Sequence, residues 1–473
     1  MTDLKNEQLA ELDKAALITI IVELQQEVRA LRGQLAKNSQ NSGKPPSSDG
    51  LKKPRSLREK GKRASGGQAG HEGHTLKMVE QPDHVELHRA TACPHCAADL
   101  SEIEAVEIER RQVFDVPPVR LEVTEHQAEV KECPKCGHTV RGRFPKNVTQ
   151  PAQYGPRLTA QAVYLSVYQM LPLARACEVF EDFYGQSPSQ AFVLEAQTAC
   201  QQHIHPALDR IQQGLLASQV VHFDESGVRV EGGLNWLHTA GTERLTYYAI
   251  HPRRGQVGMQ AIGILPRFRG RAVHDHWSPY LKFENCQHAF CNAHHLRELR
   301  FVAEQYEQTW AQDMAQLLLD IKAEVQAAPM NRESLSPGRI AHYENSFDAL
   351  LRQGFEANPP PDPPLALKRG RKKQSPARNL LDRLQRHKPE TLAFMHDFRV
   401  PFDNNLAERD VRMVKVKQKV SGCFRTALGA DTFCAIRSYL STVRKHSAHV
   451  IQSLHDAFLG QPFMPVACAG LPE

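Results

Sequence analysis

Val220-Val-His-Phe-Asp224 is the stretch on which the fold turns. Upstream, residues 156–213 carry helical periodicity; here the period switches to two, and valine and phenylalanine favour extended backbone. The run predicts a strand that ends in an acid. Two further strand-like runs follow, Leu234-Asn-Trp-Leu-His-Thr239 and Leu245-Thr-Tyr-Tyr-Ala-Ile250, with turn residues between them. Gly258 to Leu265 predicts a short helix, and Gly270-Arg-Ala-Val-His-Asp275 a fourth strand, again ending in an acid. Three strands, a helix and a strand is the order of a ribonuclease H-like α/β core. In that architecture the first and fourth strands adjoin, which brings Asp224 and Asp275 together. Two carboxylates a few Å apart repel unless a cation lies between them. One aspartate at a strand end is ordinary turn chemistry; two at adjoining ends are a candidate metal site.

A third carboxylate comes from Pro401-Phe-Asp-Asn-Asn-Leu-Ala-Glu408-Arg-Asp-Val-Arg412. Glu408, Arg412, Lys415 and Lys419 share one face of a predicted helix. Alone, the pattern fits a capping box of Asn405 and Glu408 plus an i,i+4 ion pair of Glu408 with Arg412. Beside Asp224 and Asp275 it gains a second meaning. A carboxylate at the head of a basic stripe suits a metal ion on a phosphodiester, with cations steadying the flanking backbone.

The segment between Asp275 and Glu408 is far longer than such a core needs and predicts a helical insertion. Cys291-Asn-Ala-His-His-Leu-Arg-Glu-Leu opens a helix that runs past Glu304, and Gln308 to Ala327 and Ile340 to Phe355 are also helical in pattern. Cys286, Cys291, His294 and His295 have metal-ligand chemistry, but a second zinc is the less favoured reading. His294 and Arg297 are taken as nucleic-acid-facing or structural polar residues. Lys368, Arg369, Arg371, Lys372 and Lys373 form a dense basic run, either a phosphate contact or a solvated loop.

Towards the N-terminus, Leu17, Ile21, Leu24, Val28, Leu31 and Leu35 alternate spacings of four and three, a heptad seam that predicts a coiled-coil homodimer. An amphipathic helix docked on its own domain is the alternative. Residues 37–75 are rich in Ser, Gly, Pro and basic side chains and predict a mobile tether. Cys93-Pro-His-Cys96 and Cys133-Pro-Lys-Cys136 supply four thiolates, a strong signal for a structural zinc ribbon. The alternating residues between them predict a long inserted hairpin, with His95 and His138 as bystanders. Residues 156–213 break into helices at Pro172 and Gly185, like a helix-turn-helix DNA-binding unit or a plain helical connector.

With 473 residues, 41% apolar and 24% charged, the chain has material for several domains and a sizeable core. Net charge is +6, and its clustering rather than its total points to nucleic acid. No apolar run approaches the roughly 20 residues that span a bilayer, and the polar start is unlike a signal peptide; both point to the cytoplasm. Eleven cysteines, four of them in Cys-x-x-Cys pairs, favour metal over disulfides there. The expected organisation is a coiled-coil helix (1–36), a basic linker (37–75), a zinc ribbon (76–150) and a helical DNA-binding module (151–214). The core begins at 215–300, is interrupted by the insertion and its basic loop (301–395), and closes at 396–473.

Taken together the sequence resembles the transposases of the insertion sequence 66 family, bacterial enzymes of the DDE type. The resemblance runs through Lys37-Asn-Ser-Gln-Asn-Ser-Gly-Lys-Pro-Pro-Ser-Ser-Asp49, Gly66-Gly-Gln-Ala-Gly-His-Glu-Gly73, the four cysteines and Gln153-Tyr-Gly-Pro156. It continues through Asp224-Glu-Ser, Asp275 with Tyr280, Cys291-Asn-Ala-His294, Asp403-Asn-Asn-Leu-Ala-Glu408-Arg and Lys419-Val-Ser-Gly-Cys-Phe-Arg425. Asn292 and Ser226 depart from the residues frequent in the family, Trp and Thr. The resemblance implies a catalytic triad of Asp224, Asp275 and Glu408 holding two Mg²⁺ or Mn²⁺ ions. It implies cleavage at transposon ends and strand transfer into target DNA. Arg412, Lys415, Lys419, His294, Arg297 and the run at 368–373 would contact DNA, with element-encoded accessory proteins as further partners. A non-cleaving DNA-binding regulator and a ribonuclease H-like nuclease without strand transfer are the alternatives.

Overall fold

The computed structural model describes residues 13–36, 76–117, 119–329, 331–360 and 374–466. The expected linker and the basic run at 368–373 lie outside these residues. The chain divides into two compact units, one with 13–36, 126–181 and 186–466, the other with 76–125 and 182–185.

In the larger unit, helix α1 (Lys14–Ala36) starts at Asp13, whose carboxylate accepts from the Ala16 amide at 2.7 Å. Ile21, Leu24, Val28, Leu31 and Leu35 of the expected seam are exposed along it. Strands β1 (Val130–Glu132) and β2 (Thr139–Arg141) form a short antiparallel hairpin. The longer hairpin expected before it does not form: among the described residues of 111–129 there is no strand. The reason lies in burial. Val113, Val116, Val119 and Val123 are all exposed, so their alternation has no core to pack on.

Four helices follow: α2 (Pro156–Val163), continued by a π-turn at Tyr164–Tyr168, α3 (Leu173–Tyr184), α4 (Gln190–His203) and α5 (His205–Ala217). Ser189 caps α4 by accepting from the Phe192 amide at 3.1 Å. Gly185 ends α3 with φ +70°, a left-handed turn that glycine adopts without strain.

The centre of the unit is a five-stranded sheet: β3 (Val220–Val230), β4 (Gly233–Gly241), β5 (Thr246–His251), β6 (Arg271–His274) and β7 (Gln287–Phe290). A short helix, α6 (Gln256–Ile262), joins β5 to β6. In space the order is β5-β4-β3-β6-β7, with β3, β4 and β5 antiparallel and β6 and β7 parallel to β3. Strand alternation sends neighbouring residues to opposite faces. Ala272 packs with Phe223, Ile211 and Leu215 beneath α5 and α6. Val273, the next residue, packs with Leu299, Trp310 and Phe347 in the insertion. Each fully buried large apolar side chain contributes about 1.5–3 kcal/mol, so the sheet is held between two apolar layers.

The insertion comprises α7 (Asn292–Tyr306), α8 (Thr309–Ala327), α9 (Pro337–Ala357), α10 (Pro376–Arg386) and α11 (Lys388–His396). The chain closes with α12 (Asn405–Ser421), α13 (Ala427–Lys445) and α14 (Val450–Phe458). Helix α13 lies along β5 and supplies what a sixth strand would. Ser438 Oγ accepts from the Tyr248 amide at 2.8 Å, and Thr442 Oγ1 from the Thr246 amide at 3.1 Å. The two hydroxyls, one turn apart, satisfy donors that an open sheet edge would leave bare.

Candidate active site

Strand β3 pairs with β6 at Val220–Arg271, Val221–Ala272 and His222–Val273. Extending this register two residues beyond the last pair sets Asp224 beside Asp275. The expectation that β3 stops at Asp224 is corrected: the strand continues to Val230, paired with β4 along this stretch and bridged to Phe424 at its end. Gly227 explains part of the continuation. It pairs with Trp236, and a side chain there would come within 3.1 Å of the Leu234 side chain, so the glycine lets Leu234 lie close across the pair.

Helix α12 runs beside β3 in the same direction and is tied to it along its length. At its start, buried Asn404 holds His222 Nδ1 at 2.8 Å through Oδ1 and donates through Nδ2 to the Phe223 carbonyl at 2.8 Å. In the middle, the Lys415 amine donates to the Gly227 carbonyl. Beyond its end, the Phe424 amide donates to Arg229 O at 3.1 Å and the Glu231 amide to Phe424 O at 2.9 Å. These ties fix where Glu408, in the first turn, stands relative to Asp224.

The expected capping box is absent. Asn404 rather than Asn405 is the N-cap, and its side chain turns to β3 instead of the helix. Glu408 Oε1 is buried without a hydrogen-bond partner, and Arg412 approaches Glu408 only to 3.9 Å. Glu408 is therefore neither a cap nor half of a close ion pair. Burial first, then the charges of Glu225, Asp275 and Glu408, hold the Asp224 carboxyl well above the usual aspartate range. Asp224 thus lies within electrostatic reach of both Asp275 and Glu408. Among the described residues, however, the group whose metal-binding atoms all lie within 4.8 Å of one another is Cys291, His294 and Glu408. Asp275 Oδ1 is steadied by the Trp277 amide at 3.0 Å.

Around the acids stands a polar shell that the sequence pattern did not disclose. Glu225, with a side chain 2% exposed, accepts from Arg254 at 2.8 and 3.0 Å and from the Tyr280 hydroxyl. Arg254 stacks over Trp277 at 3.9 Å. His276 Nε2 lies 2.7 Å from Glu298, whose other oxygen accepts from Arg383 at 2.5 Å. Only the adjacency of Glu225 to Asp224 hinted at this layer, because its partners come from distant segments. Cys286 and His295 make contacts within the fold instead of joining the ligand group. Cys286 sits 4.0 Å from His288, and buried His295 meets Asn292 Oδ1 at 3.1 Å.

The basic residues separate into classes. Arg412 and Lys419 are exposed on α12. Lys415 is partly buried, and burial lowers its ammonium pKa, so its amine serves the fold at Gly227. His294 and Arg297 lie on the first turns of α7, partly buried. Burial, then Arg297, lowers the His294 pKa.

The two cysteine pairs, each taken alone, adopt the same turn. Cys93 donates its amide to Ala98 O at 2.9 Å and accepts at its carbonyl from Ala97; Cys133 repeats this with His138 at 2.9 Å and Gly137. Amides of Cys96 and His95 at the Cys93 sulfur, and of Lys135 and Cys136 at the Cys133 sulfur, lower both thiol pKa values. Such turns favour thiolates, the form that binds zinc.

No helix among the described residues is long and apolar enough to cross a membrane. No curated protein matches the chain. Three family models do. Residues 2–77 match a family of unknown function (DUF6444), and residues 90–137 the zinc-finger binding domain of transposase IS66, which supports a structural zinc. Residues 151–432, more than half of the chain and all of the acid cluster, match the model of the IS66 family. The chain belongs to the IS66 family of transposases.

Proposed function

We propose that the chain is a DDE transposase that cleaves DNA at transposon ends and joins the freed ends to target DNA. Asp224, Asp275 and Glu408 would hold the divalent cations. The observation that carries this reading is the alignment of β3 with β6, with α12 fastened alongside. It supports a ribonuclease H-like core with one carboxylate from each of the three elements. The donor set fits the ions. All three ligands are hard oxygens, as Mg²⁺ prefers, and Glu408 Oε1 is a buried acceptor with no other partner. Asp224, Asp275 and Glu408 would hold two ions between them, so their oxygens need not converge on one point. Bound ions of this kind activate an attacking oxygen and offset charge on the departing one.

The residues of the chain do the positioning. Asn404 and the Trp277 amide orient Glu408 and Asp275. The exposed cations Arg412 and Lys419 would grip phosphates beside the cut, and the cysteine knuckles and helices α2–α5 would engage the terminal repeats. The four cysteines would share one structural zinc, and the exposed seam of α1 would pair two chains so that two DNA ends meet.

The test is incubation of purified protein with labelled end DNA, Mg²⁺ and a target plasmid. Cut ends joined to the plasmid support transposition. Cutting without joining indicates a nuclease, and binding without cutting a regulator.

A further inference from the structure

Helices α7 and α12 bring three unlike donors together outside the acid pair of the sheet. Cys291 is the N-cap of α7 and His294 lies in its first turn, while Glu408 lies in the first turn of α12. Their sulfur, nitrogen and oxygen atoms lie within 4.8 Å of one another. Two of the three side chains are left wanting by the fold: His294 Nδ1 and Glu408 Oε1 are buried without hydrogen-bond partners. Buried polar atoms are almost always partnered, so two such atoms in one group point to a missing occupant. Cys291 Sγ, buried beside them, accepts from the Asn404 amide at 3.1 Å; burial pushes its thiol up to about 12, so the sulfur keeps its proton until an ion displaces it.

The donor set decides the class of occupant. Thiolate and imidazole are poor ligands for Mg²⁺ but good ones for zinc, which takes three protein ligands and a water in open sites. One thiolate and one carboxylate also neutralise a doubly charged ion, which matters where solvent is scarce.

We infer that Cys291, His294 and Glu408 form a second metal site, separate from the cysteine knuckles, that takes Zn²⁺ with water in its fourth position. On binding, the Cys291 thiol proton passes to solvent and the sulfur binds the ion. Glu408 belongs to this site and to the proposed acid triad, so a zinc held here engages the carboxylate that the triad needs. The site itself requires neither DNA nor cleavage.

The test is metal content. Full-length protein, Cys291→Ala and His294→Gln are equilibrated with Zn²⁺, dialysed against metal-free buffer and analysed by mass spectrometry of the metal, with circular dichroism to confirm folding. The inference expects wild type to retain one zinc per chain more than either variant, the knuckle zinc being common to all three. His294→Gln, at a partly exposed position, keeps the comparison valid if Cys291→Ala unfolds. Equal zinc in wild type and the folded variants would overturn the site. Because the count needs no substrate, it stands or falls apart from the transposition assay.

Discussion

Asn404 Oδ1 lies 2.8 Å from His222 Nδ1, joining the residue that starts α12 to the strand that carries Asp224. The same side chain donates to the Phe223 carbonyl, and its own amide donates to Cys291 Sγ. One asparagine thus meets the strand of Asp224, the helix of Glu408 and the start of α7. Asn404→Ala would strip partners from buried groups, at about 1–3 kcal/mol. Catalysis should suffer beyond that cost, because support of metal ligands is typically worth about 10–100-fold in activity. Urea melts beside cleavage rates at a temperature where the variant is folded would separate the two effects.

Lys415 and Lys419 share a helix face in the sequence but not a task. Lys419→Ala should weaken DNA binding and flatten the dependence of affinity on salt by about one unit of slope. Lys415→Ala should instead lower the melting temperature, because its amine is bound to Gly227 O, with little change in slope. Binding isotherms at several salt concentrations, with thermal melts, give both readouts. Equal slope changes for the two variants would show that Lys415 leaves Gly227 for DNA.

The edge of the sheet offers a test of the fold alone. Ser438→Ala and Thr442→Val each remove the acceptor of a buried β5 amide, at about 1–3 kcal/mol apiece. The double variant should lose roughly the sum of the two, since each hydroxyl serves a different amide. Denaturant unfolding checks this, and a double variant as stable as wild type would mean that α13 does not serve as the edge.

The knuckles predict a separable loss. Cys133→Ser should abolish the zinc proposed for the four cysteines and weaken recognition of end DNA. The sheet should keep its stability, since no strand of it contains these cysteines. Metal analysis and a thermal melt report the two consequences independently.

Much of the candidate site was legible because strand period and spacing are local properties. Asp224, Asp275 and Glu408 could be placed from the run of strands and one helix face. The length of β3 was not legible, because Glu225, Ser226 and Gly227 look like a turn until Trp236 is seen to cover the glycine. Strand β7 was not legible either: Gln287-His-Ala-Phe290 is too short to show a period and is strand only because β6 lies beside it. The true cap of α12 was hidden for a similar reason. Asn404 and Asn405 are equivalent in sequence, and what separates them is His222, 182 positions away. The partnership of Glu225 with Arg254 and Tyr280, and that of Ser438 and Thr442 with β5, are likewise tertiary. Between the knuckles the pattern misleads in the opposite direction: alternation predicts strands, but Val113, Val116, Val119 and Val123 stand exposed.

The central claim is that three carboxylates from β3, the end of β6 and α12 act as one unit. Cleavage of labelled end DNA in Mg²⁺ by wild type, Asp224→Asn, Asp275→Asn and Glu408→Gln measures it most directly. Loss of one ligand removes several kcal/mol of charge stabilisation, so each variant should fall by about 100-fold or more while still binding the DNA. Cleavage that survives at wild-type rate in all three would contradict the account.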